Sequence, residues 1–236
     1  DVSKDTFACC FGYKEDGGSE HFSKSKSFEN TQTGFQEFKN WVDEQSLTAD
    51  TWYVMEATGV YYENLAYWLF EQDLNVSVII PSKVNHYAKT LELKTKTDAV
   101  DARILSKLGL ERTLRKWAVP TVLMREVRFL TRELRETKAK LVVSKNQLHA
   151  KTHAHRASAG TLRRLKRQIK LMEGQIIEIE SELRVLVMND DSLSEKVEKL
   201  ESIPGVGFMT AISVVGETNA FALFANSKQL VSYAGL

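Results

Sequence analysis

The chain has 236 residues, 43% hydrophobic and 27% charged, with a formal net charge of +1. That length can bury a core in two or three folding units, and no run of about 18 apolar residues offers a membrane span. No secretory-signal pattern opens the chain. Its two cysteines, Cys9 and Cys10, are adjacent, so they read as small buried hydrophobes in a reducing cytoplasm rather than as a bridge between distant segments. No cysteine–histidine spacing for structural zinc is present.

The small net charge hides an uneven distribution. From Arg103 to Lys170 there are 19 Lys or Arg and only four acids, Glu111, Glu126, Glu133 and Glu136, so this stretch carries +15 and the remainder −14. Such polarisation points to a polyanion held along the basic middle of the chain.

The first 120 residues predict alternating strands and helices. A strand over Asp5–Tyr13 is followed by the turn residues Lys14–Gly18 and a returning strand over Glu20–Phe28. Thr31–Thr33 cap a helix with Phe35, Phe38, Trp41 and Val42 on one face. A strand over Thr51–Glu56 ends on a carboxylate. A helix over Tyr61–Gln72 leads to a buried strand over Asn75–Ile80, stopped by Pro81, and a helix covers Asp98–Leu110. Together these predict a mixed sheet with helices on its faces. Trp52, Tyr53, Tyr61, Tyr62, Tyr67 and Trp68 read as core aromatics of this region.

Beyond residue 120 the period changes. Leu123, Val127, Leu130, Leu134, Thr137, Leu141, Ser144 and Leu148 step by four and three, and Leu162 to Leu186 repeat the pattern. This predicts a coiled-coil hairpin broken at Ala157–Gly160, each arm roughly 45–50 Å long. Short helices follow around Ile203-Pro204-Gly205-Val206-Gly207, a helix-hairpin-helix-like turn whose glycines let backbone N–H groups approach a phosphate. The chain stops at Gly235–Leu236 without a closing signal.

Asp1, Glu56, Asp98 and Asp101 are the candidate catalytic and metal-ligating residues. Asp1 reads as the end of a first strand whose upstream half is absent, Glu56 ends another strand, and Asp98 and Asp101 share one face at a helix start. Carboxylates brought together repel one another unless cations join them. Two Mg²⁺ or Mn²⁺ ions about 3.5–4 Å apart would relieve the repulsion and stabilise the attacking and leaving oxygens of a phosphoryl transfer. Spacing alone leaves open Asp98 as a helix cap, Asp1 as a turn residue and Glu56 as a solvated strand end.

The segments Asp1-Val2-Ser3-Lys4-Asp5, Met55-Glu56-Ala57-Thr58-Gly59-Val60-Tyr61 and Lys96-Thr97-Asp98-Ala99-Val100-Asp101-Ala102-Arg103, with Ile203–Gly207 and Tyr233–Leu236, closely resemble the DEDD transposases of the insertion-sequence-110 family. That family includes DNA invertases and bridge-RNA-guided recombinases. The resemblance implies an α/β RNase H-like domain of the RuvC type over residues 1–117, with Asp1, Glu56, Asp98 and Asp101 as metal ligands. A basic coiled-coil hairpin over 118–190 and the start of an α-helical C-terminal domain over 191–236 would follow. It also implies a nucleophilic serine beyond Tyr233–Leu236, so that this chain by itself is not expected to complete recombination. Expected partners are DNA, a guide RNA and further copies of the chain, as dimer or tetramer, in the bacterial cytoplasm at the nucleoid.

The candidate nucleic-acid contacts are Arg125, Arg128, Arg132 and Arg135, in a stripe at three- and four-residue spacing, extended by Lys138, Lys145 and Lys151. Arg163, Arg164, Lys166, Arg167 and Lys170 open the second arm, and Gly205 and Gly207 mark the turn. Guanidinium groups match phosphate oxygens bidentately. His149, His153 and His155 read as exposed helix histidines. Two competing functions are a junction endonuclease that uses the same acids to activate water, and a non-catalytic nucleic-acid scaffold.

Overall fold

The computed structural model describes residues 2–15, 17–45, 50–91, 97–224 and 226–233, with Ser232 and Tyr233 by backbone alone. Asp1, Lys96 and Ala234–Leu236 lie outside the described residues. The fold is mostly helical with small sheets, in two compact units, Asp1–Val119 and Pro120–Leu236.

In the first unit the expected hairpin forms in two pieces. β1 (Thr6–Cys9) pairs antiparallel with β4 (Lys26–Glu29), and β2 (Gly12–Lys14) with β3 (Glu20–Phe22). Between the pieces the Ser23 hydroxyl accepts the Phe11 N–H at 3.0 Å and the Ser23 N–H donates to the Phe11 carbonyl at 2.8 Å. A side chain therefore carries the ribbon across the break. α1 (Gln32–Gln45) buries Phe35, Phe38 and Val42, and the Thr31 hydroxyl accepts the Gly34 N–H at its start. Phe7, Phe28, Phe35 and Phe38 meet ring to ring beneath it.

β5 (Trp52–Glu56), α2 (Tyr62–Glu71) and β6 (Asn75–Ile79) form a βαβ unit, with β5 and β6 parallel and Glu56 opposite Ile79. The sequence predicts that Pro81 stops β6, and it does. Pro81 also opens α3 (Pro81–Thr90), a helix absent from the sequence reading, because a proline at the first helical position gives up only an N–H that has no intrahelical partner. α4 (Asp98–Glu111) then packs against β1, β2 and β5. Among the described residues the strands form three separate two-stranded ladders, not the one mixed sheet expected. Tyr53 and Tyr62 are buried and Trp52, Tyr67 and Trp68 half-buried, but Tyr61 is 45% exposed and does not belong to the core.

In the second unit α5 (Val122–Thr152) and α6 (Ala159–Met188) pack along each other. Lys138 pairs with Glu180 and Lys145 with Glu173, so seven residues forward on one helix match seven back on the other. The two helices are antiparallel. At 31 residues α5 extends about 46 Å. Ser158 caps α6 by accepting the Thr161 N–H. The buried positions of α5 follow the expected spacing at Val127, Leu134, Thr137 and Ser144. Near its start, however, Met124 and Thr131 are buried while Leu123 and Leu130 are only half-buried. The cause is a third helix. α8 (Phe208–Glu217), which follows α7 (Asp191–Glu201), packs against α5 there and turns a second face inward. Gly216 permits that approach, since a Cβ would lie 3.1 Å from a Val127 methyl. A last short helix, α9, spans Ser227–Tyr233.

Candidate functional site

Glu56 is the last residue of β5, half-buried, and its position is fixed on both sides. The Ala57 N–H donates to the Ile79 carbonyl at 2.9 Å, and the Thr58 hydroxyl donates to Glu56 Oε1. Gly59 then takes φ of +63°, a backbone region that suits glycine, and turns the chain towards α2. Asp98 and Asp101 occupy the first turn of α4, where the helix dipole favours acidic side chains. Thr97, not Asp98, is the N-cap: its hydroxyl accepts the Val100 N–H at 3.3 Å. Val100 and Ile79 pack against one apolar cluster built on Val84, Tyr87, Ile104, Leu105 and Leu108. Since Ile79 is the cross-strand partner of Glu56 and Val100 lies between the two aspartates, the ends that carry Glu56, Asp98 and Asp101 share a core.

The donor set is all carboxylate oxygen, which suits hard divalent cations such as Mg²⁺ and Mn²⁺. Among the described residues no group of three His, Cys, Asp or Glu side chains is close enough to hold a metal ion. The fourth acid, Asp1, lies outside them. A cavity of about 1160 Å³ in the same unit is lined by Cys9, Cys10, Trp41, Trp52 and Ser106, and by none of the three described acids. Burial pushes the Cys9 thiol up to about 12 and raises that of Cys10, so neither is an activated nucleophile.

The basic stripe of the second unit divides in two. Arg128 Nε donates to the Gly216 carbonyl at 3.1 Å, and Arg132 binds Glu217 through two hydrogen bonds of 2.8 Å. Those bonds, chiefly, hold the Glu217 carboxyl below the usual carboxylate range. Lys138 and Lys145 pair with acids of α6 at 2.7 and 2.8 Å. Towards the turn the picture changes. Among the described residues Lys151, Arg163, Arg164, Lys166, Arg167 and Lys170 enter no ion pair, and all are exposed. From Lys138 to Lys170 the sequence has ten Lys or Arg and no acid. His149, His153 and His155 are exposed there too, the first two with rings 4.5 Å apart. Gly205, at φ of +87°, makes the turn between α7 and α8. Gly207 has an ordinary φ and open space around it, so nothing within the fold demands a glycine.

A family model of IS110 DEDD transposases, described as Transposase, matches residues 1–154. A second, described as Transposase IS116/IS110/IS902 family, matches residues 197–236. The chain belongs to the IS110 transposase family. The pilin gene-inverting protein of Moraxella bovis is 26% identical over 237 residues, spanning all of this chain and 70% of the relative. Its counterpart in Moraxella lacunata is 26% identical over 240 residues with the same coverage. Membership of the IS110 family carries DNA recombination as the class of activity, with DNA as substrate. No helix among the described residues is long and apolar enough to cross a membrane.

Two residues of this IS110 chain were absent from the sequence reading of the site. Thr58 had a local signal, a hydroxyl two residues after Glu56. Asn30 had none, because its partners are 27 and 31 residues away.

Proposed function

We propose that the chain carries the metal-binding part of a DNA recombinase. In this reading Asp1, Glu56, Asp98 and Asp101 hold two Mg²⁺ or Mn²⁺ ions, and the hairpin of α5 and α6 holds nucleic acid. The observation that supports it most is the shared core under Glu56 and the first turn of α4, which sets carboxylates from two distant segments on one framework. The bound ions would supply charge neutralisation at the attacking and leaving oxygens of a scissile phosphate. The residues do the rest. Thr58 orients the Glu56 carboxylate by donating to one oxygen and leaves the other for ligation. Thr97 relieves Asp98 of capping. Strand exchange would proceed through the family's serine nucleophile.

The acid-free turn of the hairpin supports binding of a phosphate backbone. Following the family, we assign that polyanion to a guide RNA as well as to DNA, and the exposed faces of α5 and α6 to coiled-coil pairing of two or four copies. The domain limits stay at 1–117, 118–190 and 191–236, with an RNase H-like, RuvC-type first domain, and Gly205 and Gly207 serve the backbone of a nucleic acid.

The test is Mn²⁺ titration of the chain by calorimetry, with and without Asp98→Asn and Glu56→Gln. Binding by the unsubstituted chain, weakened at least tenfold by either substitution, is the expected result. Equal binding by all three would leave the acids structural and the chain a nucleic-acid scaffold.

A further inference from the structure

Asn30 sits in the turn between β4 and α1, and that turn is rigidly built. Its N–H donates to the Asp5 carbonyl at 2.9 Å, Thr31 caps α1 immediately after it, and Gly34 brings α1 so close to β4 that a Cβ would lie 2.1 Å from the Glu29 carbonyl. From this mount the Asn30 side chain reaches two loops. Nδ2 donates to the Ser3 carbonyl at 2.9 Å and to the Tyr61 carbonyl at 3.1 Å. Only the amino end of a carboxamide can face two carbonyl oxygens, so the orientation of the group is fixed by its partners. Oδ1 is buried and accepts no hydrogen bond from the described residues. Among the described residues the side chain is thus held by its two donated bonds.

Both partners adjoin the candidate ligands. Ser3 lies two residues after Asp1 in a tight turn, its N–H donating to the Thr6 carbonyl at 2.9 Å and its hydroxyl to the same oxygen at 2.6 Å. Tyr61 closes the Thr58–Tyr61 loop that leaves Glu56. We infer that Asn30 is a positioning residue for the acidic site, a clip that ties the Ser3 turn to the loop following Glu56 and so holds the segment that leaves this ligand. This rests on the metal reading of the four acids. A residue that orients ligand-bearing segments without touching the ion acts on metal affinity more than on stability.

Three variants separate these effects. Asn30→Leu keeps the branching of the side chain and removes both donors. Asn30→Asp sets a carboxylate against the two carbonyls. Leu69→Ala, at a fully buried core position, destabilises the same unit without touching either loop. Mn²⁺ affinity by calorimetry is expected to fall about tenfold or more in both Asn30 variants, with helical circular dichroism retained, and to stay within twofold in Leu69→Ala despite its lower Tm. Unchanged Mn²⁺ affinity in a folded Asn30→Leu protein overturns the inference, as does an equal loss in Leu69→Ala. Should the Asn30 variants fail to fold, the unsubstituted protein decides by NMR. Substoichiometric Mn²⁺ should broaden the Asn30 side-chain amide resonances, and resonances left sharp while Mn²⁺ is bound overturn the inference. Absence of Mn²⁺ binding by the unsubstituted chain overturns the metal reading itself. That result is seen before any substitution is made.

Discussion

The two ends of the α5–α6 hairpin have similar sequence chemistry and opposite surroundings. Where α8 packs, Arg128 and Arg132 are spent on the Gly216 carbonyl and on Glu217, and farther along Lys138 and Lys145 meet Glu180 and Glu173. At the turn, Lys151, Arg163, Arg164, Lys166, Arg167 and Lys170 face solvent with no acid between Lys138 and Lys170. A count of charges along the chain treats these cations alike. The antiparallel return of α6 does not, because it lays its acidic second half beside the middle of α5 and its basic first half beside the tip. Cations at one end serve the fold, and those at the other are available to a partner.

The largest expected effect tests the tip. Replacing Arg163, Arg164, Lys166 and Arg167 together with Ala should weaken binding of duplex DNA or structured RNA about 100-fold near 0.1 M salt. The log–log salt slope should become shallower by up to about 3–4, with Tm unchanged. A gel-shift series across salt measures both, and an unchanged slope would end the comparison. The core beneath the other end comes next. Leu183 is fully buried against α5, and Leu183→Ala should cost about 3 kcal/mol in urea unfolding, with little change in DNA affinity per folded molecule.

The smallest effect is the most discriminating. Arg132→Ala should cost about 1 kcal/mol, since the pair it breaks is half-exposed, and should change DNA affinity less than threefold. Its pH dependence follows from Glu217, whose folded carboxyl lies below its ordinary value of 4.5. The stabilisation is complete above that ordinary value and is lost as pH falls through the lower, folded one. The Tm difference between the unsubstituted chain and Arg132→Ala should therefore hold from pH 7 to about pH 5 and shrink towards pH 3. A difference that persists at pH 3 would show that Arg132 acts through packing.

Local pattern made much of this readable. The face of α1, the strand ending on Glu56, the two aspartates in one helical turn and the hairpin break near Ser158 all depend on residues close in sequence. What was missed depends on distant partners or double roles. The sequence marks Pro81 as a stop, and it is also a start. Met124 and Thr131 are buried only because α8 returns from more than 80 residues downstream. Tyr61 belongs by type to a core, yet it ends a loop that a glycine turns outward. The pairing of Arg132 with Glu217 and the reach of Asn30 were invisible for the same reason.

The division of labour at the start of α4 has one more consequence. Threonine takes the backbone N–H that an aspartate one place later could have claimed, and among the described residues neither Asp98 nor Asp101 has a side-chain hydrogen bond to surrender. An arriving cation would meet carboxylates with no local bond to break and a helix already started without them. On the proposed metal reading, loading and unloading would then proceed with the first turn intact, leaving the scaffold indifferent to whether ions are present.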